Sequence, residues 1–369
     1  MPVHMTRRLA MVVGDTAGHV LPALAVAAAY RQHAPDVDVL FLSAADGHAS
    51  RLVPAAGYRL EIVPGAPLAR AGVIGRLAAV GRTVEGFAAA RRLLAAAGAR
   101  LVIGSGGYAS GGVLLAARSL GLRTALIEPN VEPGLANRLL ARVAHRAYLT
   151  HPATERFFPT GRSLVTGTPV QPRIVQALDP ERRPGARPRP RRLLVTGGSR
   201  GDAFLAAEAP PLARALAARG LALSVCHQTG QVPADEVARA YRNAGVPASV
   251  SPYLDMACAY ATADLAIARA GAGTLAELAL AGLPALLVPL ADAAADHQAV
   301  NARAAADAGS AIWIRERDWT VERVVDLVWP LLTRMDVWDR MAAAARRQAR
   351  PDAAAAVVED CERQMQGRW

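Results

Sequence analysis

Glycine-rich loops follow four strand-like segments of this sequence, and each could bring backbone N–H groups against an anionic ligand. The loops span Gly14 to His19, Gly104 to Gly112, Gly197 to Gly201 and Gly271 to Thr274. Glycine lets the backbone approach a ligand closely, and the amino end of a following helix favours a phosphate. For the first three loops, a tight structural turn without a ligand remains the alternative.

The fourth loop carries the most specific chemistry. It would open a helix whose amino end meets a diphosphate, and Glu277 follows within that helix. A carboxylate can accept hydrogen bonds from both vicinal hydroxyls of a ribose. The alternative is that Glu277 is a first-turn acid that only offsets the helix dipole. Further along, Gln298 and Asn301 are spaced i,i+3 and would share one face of a helix.

These loops need a scaffold of parallel strands, and the sequence predicts one. Strand-like and helix-like segments alternate in the first half, which is typical of a parallel sheet covered on both faces. The first helix pattern is Leu21–Tyr30. The strand candidates are Arg8–Val13, Val37–Leu42, Arg59–Val63, Leu101–Ile103, Thr124–Ile127 and Ala147–Leu149.

The same opening recurs in the second half, after a stretch rich in proline and arginine at residues 177–192. A strand at Leu193–Thr196, a glycine-rich turn and a helix pattern follow it. We therefore predict an α/β protein of two Rossmann-like domains whose parallel sheets face each other across a cleft. The predicted boundaries are 1–176 for the first domain, 177–192 for the linker, 193–350 for the second domain, and 351–369 for a helix that returns to the first domain.

Composition narrows the class of protein. The chain has 369 residues, of which 52% are apolar, so one ordinary core is too small for it. The net charge is +11 without any lysine, and residues 1–176 hold 19 arginines against 9 acidic residues. The positive electrostatic field of such an excess of arginine attracts phosphates, nucleic acid or anionic lipid. The three cysteines lie far apart without a CxxC pair, which disfavours both a disulfide framework and a zinc site.

Local sequence patterns disfavour two further classes: nicotinamide-dependent enzymes, and proteins with a signal peptide or a membrane span. The first loop is not GxGxxG, and Asp36 and Asp38 precede the second strand rather than end it, which argues against a nicotinamide cofactor. The start of the chain lacks the apolar core of a signal peptide. The longest uncharged apolar stretch, Leu278–Leu290, has 13 residues, whereas a membrane span needs about 20. We expect a soluble or peripheral protein.

The order and spacing of the motifs resemble the MurG family of peptidoglycan glycosyltransferases. The matching segments are, in order, GDTAGH, GSGGYASGG, IEPN, GTPVQ, GGSRG, HQTG, RAGAGTLAE with AGLPALLVP, and DHQAVNA. The resemblance implies a GT-B fold and the inverting, metal-independent transfer of GlcNAc from UDP-GlcNAc to lipid I, the undecaprenyl-linked muramyl-pentapeptide, without a cofactor. It assigns the acceptor and membrane side to residues 1–176 and the UDP-sugar to residues 193–350.

The resemblance also assigns roles position by position. It places His19 and Glu128 on the acceptor side as catalytic residues. His19 is the candidate general base, because histidine is well suited to accept a proton near neutral pH; a helix-start histidine paired with the backbone is the alternative. The implied donor contacts are Thr16 and Asn130 near the sugar, Ser199 at the diphosphate, Tyr253 at the uracil, Ala272, Gly273, Thr274, Leu275 and Ala276 at the diphosphate and ribose, Glu277 at the ribose, and Gln298 and Asn301 at the GlcNAc. The implied acceptor and pyrophosphate contacts are Gly14, Gly18, Gly106, Gly107, Tyr108 and Ser110.

This sequence departs from the family pattern mainly on the acceptor side. Asp15 and Ala17 replace glycines of GGTGGH, Pro129 stands within the segment that is usually HEQN, and Gln171 replaces the arginine of GNPVR, with Arg173 as a substitute two positions on. Three alternatives therefore stay open: a MurG-like UDP-sugar transferase of a specialised pathway such as phosphoglycolipid or other antibiotic assembly, a UDP-sugar 2-epimerase-like enzyme, and a homologue that binds UDP-sugar without turnover.

Two readings from other classes are weaker. Asp36-Val37-Asp38 matches the DxD motif of metal-dependent transferases, but acids between a helix and a strand usually solvate a turn. Nucleic-acid binding is suggested only by the pI of about 10.6, and aromatic residues are only 5% of the chain. We therefore expect neither a metal nor a nucleic-acid partner.

A lipid-linked acceptor requires docking on a membrane, and Pro67–Leu94 mixes apolar residues with repeated arginines. A basic, apolar surface of this kind binds anionic lipid. We expect a cytoplasmic protein that lies peripherally on the inner face of the plasma membrane. The alternative for this segment is a core helix with a solvated arginine face.

Overall fold

The chain folds into two α/β units, each built on one parallel sheet. The computed structural model describes residues 8–14, 16–44, 47–65, 73–178, 191–291 and 296–366. The first unit comprises Met1–Pro172 together with Pro351–Trp369, and the second comprises Arg173–Arg350. The prediction of two Rossmann-like α/β domains with parallel sheets is confirmed.

The first unit has a seven-stranded parallel sheet in the order β3-β2-β1-β4-β5-β6-β7. Its strands are β1 Arg8–Val13, β2 Asp38–Ser43, β3 Arg59–Ile62, β4 Leu101–Gly104, β5 Arg123–Glu128, β6 Arg146–Leu149 and β7 Ser163–Val165. β1, β4, β5 and β6 are almost wholly buried along their length. Near-continuous apolar runs are expected of parallel strands, because helices cover both faces of their sheet.

Helices of the first unit lie in two layers. They are α1 Ala17–His33, α2 His48–Ala55, α3 Val73–Ala97, α4 Tyr108–Ser119 and α5 Leu135–Leu140, with a 3-10 helix at Pro152–Phe157. One face of the sheet forms a core with α1 and α2, and the other forms a core with α3, α4 and α5.

The second unit repeats this plan with six parallel strands in the order β10-β9-β8-β11-β12-β13. The strands are β8 Arg191–Thr196, β9 Leu223–Gln228, β10 Ala248–Ser251, β11 Leu265–Ala268, β12 Ala285–Leu287 and β13 Ala311–Trp313. The helices are α6 Pro172–Ala177, which begins at the boundary of the units, α7 Ala203–Ala218, α8 Ala234–Asn243, α9 Met256–Thr262, α10 Ala272–Ala281, α11 His297–Asp307, α12 Val321–Thr333 and α13 Met335–Gln348.

The last helix, α14 Ala353–Met365, belongs to the first unit and packs against α1. Its Asp360 accepts two hydrogen bonds from the Arg146 guanidinium, at 2.9 and 3.2 Å, and one from the Tyr148 hydroxyl at 3.0 Å. Burial disfavours the ionised Asp360, but hydrogen bonds from Gln364, Arg146 and Tyr148 outweigh it and lower the pKa of this carboxyl. These bonds attach the end of the chain to β6.

The predicted strands all exist, with ends that differ by at most two residues. The main correction falls at the linker. Of the predicted segment 177–192, residues 179–190 lie outside the described residues, and the last two residues already form β8. Arg191 is buried because its backbone N–H donates to Ala222 and its side chain approaches Asp264, at 3.6 Å.

Part of the predicted membrane segment can also be placed. Residues 67–72 lie outside the described residues, whereas Val73–Ala97 forms α3. Ala90 and Leu94 are buried in the core, and Arg82, Arg91 and Arg92 are exposed. From Gly81 onward α3 therefore has the geometry of a core helix with a solvated arginine face. None of the helices in the described parts of the chain has the length and apolar content to cross a membrane.

Candidate active site

Glycines bring two loops of the first unit into backbone contact. β1 and β4 are neighbours in the sheet, and the loops after them lie side by side. Gly106 and Gly107 both have positive φ, near 90°, which L-residues with side chains rarely adopt. A Cβ on Gly107 would lie 2.4 Å from the Cα of Gly14. Ser110, buried in the first turn of α4, donates to the Gly106 carbonyl at 2.7 Å. These predicted acceptor residues are thus brought together.

His19 lies in this contact. Its Nδ1 is 3.1 Å from the Thr16 hydroxyl, and its carbonyl accepts a hydrogen bond from Ser105 at 2.7 Å. Its Nε2 faces the second loop, because a Cβ on Gly106 would lie only 2.8 Å from that atom. Thr16 is the N-cap residue of α1 but makes no side-chain cap, since its hydroxyl meets the imidazole instead. A hydroxyl that holds Nδ1 orients Nε2 as the atom that can exchange a proton.

Other predicted residues of this loop are placed less completely. Gly18 is exposed in the first turn of α1. Tyr108 begins α4, but its side chain, like the whole of Asp15, lies outside what the structure describes.

Gln171, which replaces the family's arginine, donates to the Leu21 carbonyl at 2.6 Å. Arg173 pairs with Asp255 within the second unit.

Glu128 ends β5 and is buried, with 2% of its surface exposed. One carboxylate oxygen accepts from the backbone N–H and side-chain amide of Asn130, at 3.0 and 3.2 Å, and the other accepts from the amide of Asn137 at 2.9 Å. Burial raises the pKa of Glu128, while hydrogen bonds from Asn130, Asn137 and Gly134 oppose the rise. In this arrangement the carboxylate positions the loop that carries Asn130, and Asn137 is a partner that sequence reasoning missed.

The predicted donor residues of the second unit all follow strands at one edge of its sheet. In a parallel sheet the carboxyl ends of the strands lie at the same edge, where ligands bind at the point of strand-order reversal. That point is between β8 and β11. The loop after β8 contains Ser199, the loop after β10 contains Tyr253, and α10 follows β11. Ser199 is half-buried and Tyr253 is 53% exposed.

The amino end of α10 has no side-chain cap, unlike the amino ends of α7, α9 and α12 in the same unit. Asp202 of α7, Asp255 of α9 and Thr320 of α12 each cap their helix with a side-chain oxygen. The N-cap of α10 is Gly271, which has no side chain to offer, and Ala272, Gly273, Thr274, Leu275 and Ala276 are all partly exposed. The first N–H groups of a helix need an acceptor, so this end suits a diphosphate.

Glu277 lies in the second turn of α10. The alternative that it is a first-turn acid that only offsets the helix dipole is therefore wrong. Its Oε2 accepts a hydrogen bond of 2.8 Å from the hydroxyl of buried Tyr260 on α9. Although part of the residue stays accessible, desolvation of its carboxyl group raises the pKa of Glu277 to about 7, and the Tyr260 bond opposes the rise. The remaining lone pairs can accept ribose hydroxyls. Tyr260 was not predicted; no sequence spacing links it to Glu277.

Arg269 holds the two central loops of the second unit together. Its guanidinium binds both oxygens of Asp202, at 2.6 and 2.7 Å, contacts Glu316 at 2.6 Å, and donates to the Val288 and Pro289 carbonyls. Only 5% of Arg269 is exposed. The residue opens the RAGAGTLAE segment, but its structural role could not be inferred from the sequence.

Gln228, at the end of β9, joins two further loops of this edge. Its amide donates to the Gly198 carbonyl at 3.0 Å and accepts from the Leu254 backbone N–H at 3.1 Å. The loops that carry Ser199 and Tyr253 are therefore fixed to one side chain. Gln228 belongs to the HQTG segment, but the sequence did not indicate its contacts with Gly198 and Leu254.

Gln298 and Asn301 do share the inner side of α11. The side-chain oxygen of Gln298 accepts from the Leu290 N–H at 3.0 Å, and the amide of Asn301 donates to the Ala270 carbonyl at 3.3 Å. Asn301 is only 2% exposed, so in this conformation its amide supports the α10 loop. Asp296, which precedes α11, has a positive φ of 53° and pairs with Arg315 at 2.8 Å.

Asp36 and Asp38 lie at the amino-terminal end of β2, the edge of the sheet away from His19. Among the described residues, no three His, Cys, Asp or Glu side chains are grouped so that they could hold a metal ion.

Two Rossmann-like units, each with a parallel sheet and glycine-rich loops at its carboxyl edge, are the architecture of GT-B glycosyltransferases. Comparison with known proteins agrees. Residues 9–149 match the glycosyltransferase family 28 N-terminal domain, and residues 192–357 match the glycosyltransferase family 28 C-terminal domain. The chain belongs to glycosyltransferase family 28, and its resemblance to the MurG family is confirmed.

Curated relatives match over nearly the whole chain. A protein of Aeromonas hydrophila subsp. hydrophila is 40% identical over 99% of both chains, and one of Acidithiobacillus ferrooxidans is 41% identical over 97% of this chain and 98% of its own. Both are named UDP-N-acetylglucosamine--N-acetylmuramyl-(pentapeptide) pyrophosphoryl-undecaprenol N-acetylglucosamine transferase.

Solved structures give the same result. MurG of Acinetobacter baumannii superimposes with a TM-score of 0.76 at 31% identity, over 95% of this chain and 98% of its own. A UDP-N-acetylglucosamine 2-epimerase has a TM-score of 0.69 at 14% identity over 99% and 98% of the two chains, which shows the shared fold alone. The predicted GT-B fold is confirmed, and the chain is a glycosyltransferase.

Proposed function

We propose that this enzyme transfers N-acetylglucosamine from UDP-N-acetylglucosamine to N-acetylmuramyl-(pentapeptide) pyrophosphoryl-undecaprenol. The observation that carries the proposal is the amino end of α10 with Glu277, a candidate donor site in a chain about 40% identical throughout to transferases of that name. The second unit offers a candidate for each nucleotide element that the reaction needs: the amino end of α10 for the diphosphate and Glu277 for the ribose.

The donor would be held by its nucleotide. N–H groups of Ala272 to Thr274 would bind the diphosphate, whose negative charge increases as the sugar leaves, so these contacts strengthen towards the transition state. Glu277 would accept the ribose hydroxyls. Ser199, Gln298 and Tyr253 remain predicted donor contacts at the same edge of the sheet.

The acceptor would be activated by His19. The sugar hydroxyl that attacks the anomeric carbon must lose a proton, and the Nε2 of a histidine whose Nδ1 is held by Thr16 can accept it. Attack opposite the leaving diphosphate inverts the anomeric configuration. We propose that the step needs no metal, since backbone N–H groups can stabilise the leaving diphosphate.

The test is turnover of UDP-N-acetylglucosamine with the lipid-linked muramyl-pentapeptide, with the disaccharide product and released UDP both measured. Stoichiometric formation of both products is expected, also in the presence of EDTA. Glu277→Gln should raise the donor KM, whereas Glu236→Gln, an exposed acid on α8, should not. Transfer only to another prenyl-phosphate or phosphoglycolipid acceptor would contradict the assigned acceptor. Formation of an epimerised or free sugar would contradict transfer itself.

We further propose that the first unit docks on an anionic membrane through an apolar-basic surface on α3, α4 and α5. Four large apolar residues are exposed there, from 45% at Leu115 to 74% at Leu135. α4 packs against both α3 and α5, so these residues lie on three neighbouring helices. They are Val84, Leu115, Leu135 and Leu139; Arg82 on α3 and Arg142, two residues after α5, are exposed as well.

Exposed leucines beside arginines are the pattern of an interfacial surface, because leucine enters the acyl region while arginine meets lipid phosphate. Arg138 stacks on the Phe157 ring, with its guanidinium carbon 4.4 Å from the ring centroid. We place the enzyme on the inner face of the plasma membrane, where a nucleotide-sugar donor is available.

A double variant tests this surface. Leu135→Ser with Leu139→Ser should lower binding to vesicles that contain phosphatidylglycerol, with little change in turnover of a short-chain, water-soluble acceptor. Ile62→Ser is the matched control, because Ile62 is also exposed, at 48%, but lies on β3. Equal vesicle binding by both variants would refute the docking surface.

A further inference from the structure

The residue that precedes α11 has an unusual backbone conformation. Among the described residues other than glycine, Asp296 alone has a positive φ, 53° with a ψ of 25°. Residues with a side chain rarely adopt this left-handed conformation, and one that does so depends on contacts that stabilise it. An aspartate at an N-cap normally has an extended backbone and caps the helix with its side chain. Asp296 makes no such cap, so its carboxylate serves another purpose.

That carboxylate binds the guanidinium of Arg315. The two terminal nitrogens of Arg315 face the two carboxylate oxygens of Asp296, at 2.8 and 3.5 Å. Both side chains are partly exposed, at 32% for Arg315 and 47% for Asp296. A guanidinium that faces both oxygens fixes the direction of a carboxylate as well as its position. The ion pair therefore stabilises the left-handed backbone of Asp296.

The backbone of Arg315 is anchored independently of Asp296. The N–H of Ile314, directly before it, donates to the Leu287 carbonyl at 3.0 Å and so continues the pairing of β13 with β12. The carboxylate of Glu316, directly after it, contacts buried Arg269 at 2.6 Å. The neighbours of Arg315 on both sides are thus attached to the second unit, and its backbone stays in place when its side chain is replaced.

Gln298 is the residue whose position depends on this arrangement. It lies in the first turn of α11, two residues after Asp296. The backbone N–H of Leu290 donates to its side chain at 3.0 Å. Because a backbone N–H can only donate, the atom that faces Leu290 is the amide oxygen, and the NH2 group is the part of Gln298 that can donate to a sugar oxygen. The start of α11, which Asp296 sets, therefore decides where this NH2 group lies.

We propose that Arg315 is a positioning residue for the sugar of the donor. It stabilises the left-handed conformation of Asp296, which sets the first turn of α11 and so places the NH2 group of Gln298. The proposal rests on the proposed function, in which Gln298 contacts the sugar of UDP-N-acetylglucosamine while α10 and Glu277 bind the nucleotide. Loss of Arg315 should therefore weaken binding of the sugar and leave binding of the nucleotide unchanged.

Arg315→Met tests this separation. It should raise the donor KM about twofold to fivefold, the range expected for a partly exposed ion pair, whereas the inhibition constant of UDP, which lacks the sugar, should not change. A general loss of structure would instead raise both constants. Arg303→Met is the matched control, because Arg303 and Arg315 both lie over the Trp313 ring, at 6.0 and 5.7 Å, but Arg303 forms no ion pair within the described parts of the chain.

Variants of Asp296 test whether the backbone conformation carries the effect. Glycine adopts the left-handed conformation without a partner, whereas alanine does not, so Asp296→Gly should have a lower donor KM than Asp296→Ala. Adding Arg315→Met to Asp296→Gly should leave the KM of that variant unchanged, because its backbone no longer depends on the ion pair. Equal KM values for the glycine and alanine variants, or the same rise from Arg315→Met in both backgrounds, would overturn the proposal.

Gln298→Glu separates this proposal from the proposed function. The glutamate still accepts from the Leu290 N–H but has no NH2 group, so the donor KM should rise. If Gln298→Glu raises the KM and Arg315→Met does not, the positioning role fails while the proposed function stands. If wild-type enzyme turns over UDP-N-acetylglucosamine and Gln298→Glu has the same KM, the sugar contact of Gln298 is refuted, and the role of Arg315 with it.

Discussion

Donor binding should depend on pH through Glu277, because its pKa of about 7 lies within the working range of an enzyme. Only the ionised carboxylate accepts both ribose hydroxyls. With that pKa the carboxylate is about one-eleventh ionised at pH 6 and about ten-elevenths ionised at pH 8. Since the folded-state pKa is raised, affinity is lost as the pH falls through 7. We expect kcat/KM for the donor to rise about tenfold between pH 6 and pH 8.

Tyr260→Phe provides the perturbation. Its hydroxyl donates to the Glu277 carboxylate at 2.8 Å, and this bond favours the ionised form. A hydrogen bond to a charged group contributes about 1.5–3 kcal/mol, and one pKa unit corresponds to about 1.4 kcal/mol. The midpoint of the donor kcat/KM profile should therefore move up by about one to two pH units.

The assay measures initial rates at limiting UDP-N-acetylglucosamine and saturating acceptor from pH 5.5 to pH 9. Tyr241→Phe is the control, because this buried tyrosine of the same unit bonds His227, at 2.9 Å, rather than Glu277. Glu277→Gln should remove the midpoint altogether. A profile that is flat between pH 6 and pH 8, or the same midpoint in Tyr260→Phe and wild type, would refute the role of Glu277.

Three further predictions concern the other elements of the site. His19→Ala should lower kcat on the order of 10²-fold with little change in donor KM, and a kcat near that of the wild type would remove His19 as the base. Gly107→Ala should reduce both the melting temperature and kcat, since its φ is 90° and a Cβ would meet backbone at 2.4 Å, whereas Gly111→Ala, with nothing within 4 Å, should do neither. Arg269→Met should cost about 3 kcal/mol in unfolding free energy, because it leaves the partly buried carboxylates of Asp202 and Glu316 unpaired; a loss below about 1 kcal/mol in denaturant titrations would contradict this role of Arg269.

The parallel sheets could be predicted from the sequence because buried strands are short apolar runs bounded by glycine-rich turns. Arg8–Val13 was predicted with its observed ends. The start of β8 was missed because Arg191 and Arg192 continue a stretch rich in proline and arginine, and that composition indicated a linker. Arg191 enters the strand because Asp264 is close enough to offset its charge.

The loops of the candidate site could also be predicted, but their internal contacts could not. Gly271 and Glu277 are close in sequence, so the amino end of a helix and an acid within it are visible as local pattern. The Tyr260 hydroxyl and the Glu128–Asn137 bond connect residues on different elements, and no periodicity encodes such pairs.

The attachment of α14 to the first unit has a consequence for synthesis on the ribosome. Residues 173–350 are contiguous, so that unit has its full sequence as soon as it leaves the exit tunnel. The other unit emerges earlier yet must wait for Asp360 to meet Arg146 and Tyr148. A chain truncated after Arg350 should therefore be protease-sensitive in residues 8–172, while residues 173–350 stay resistant.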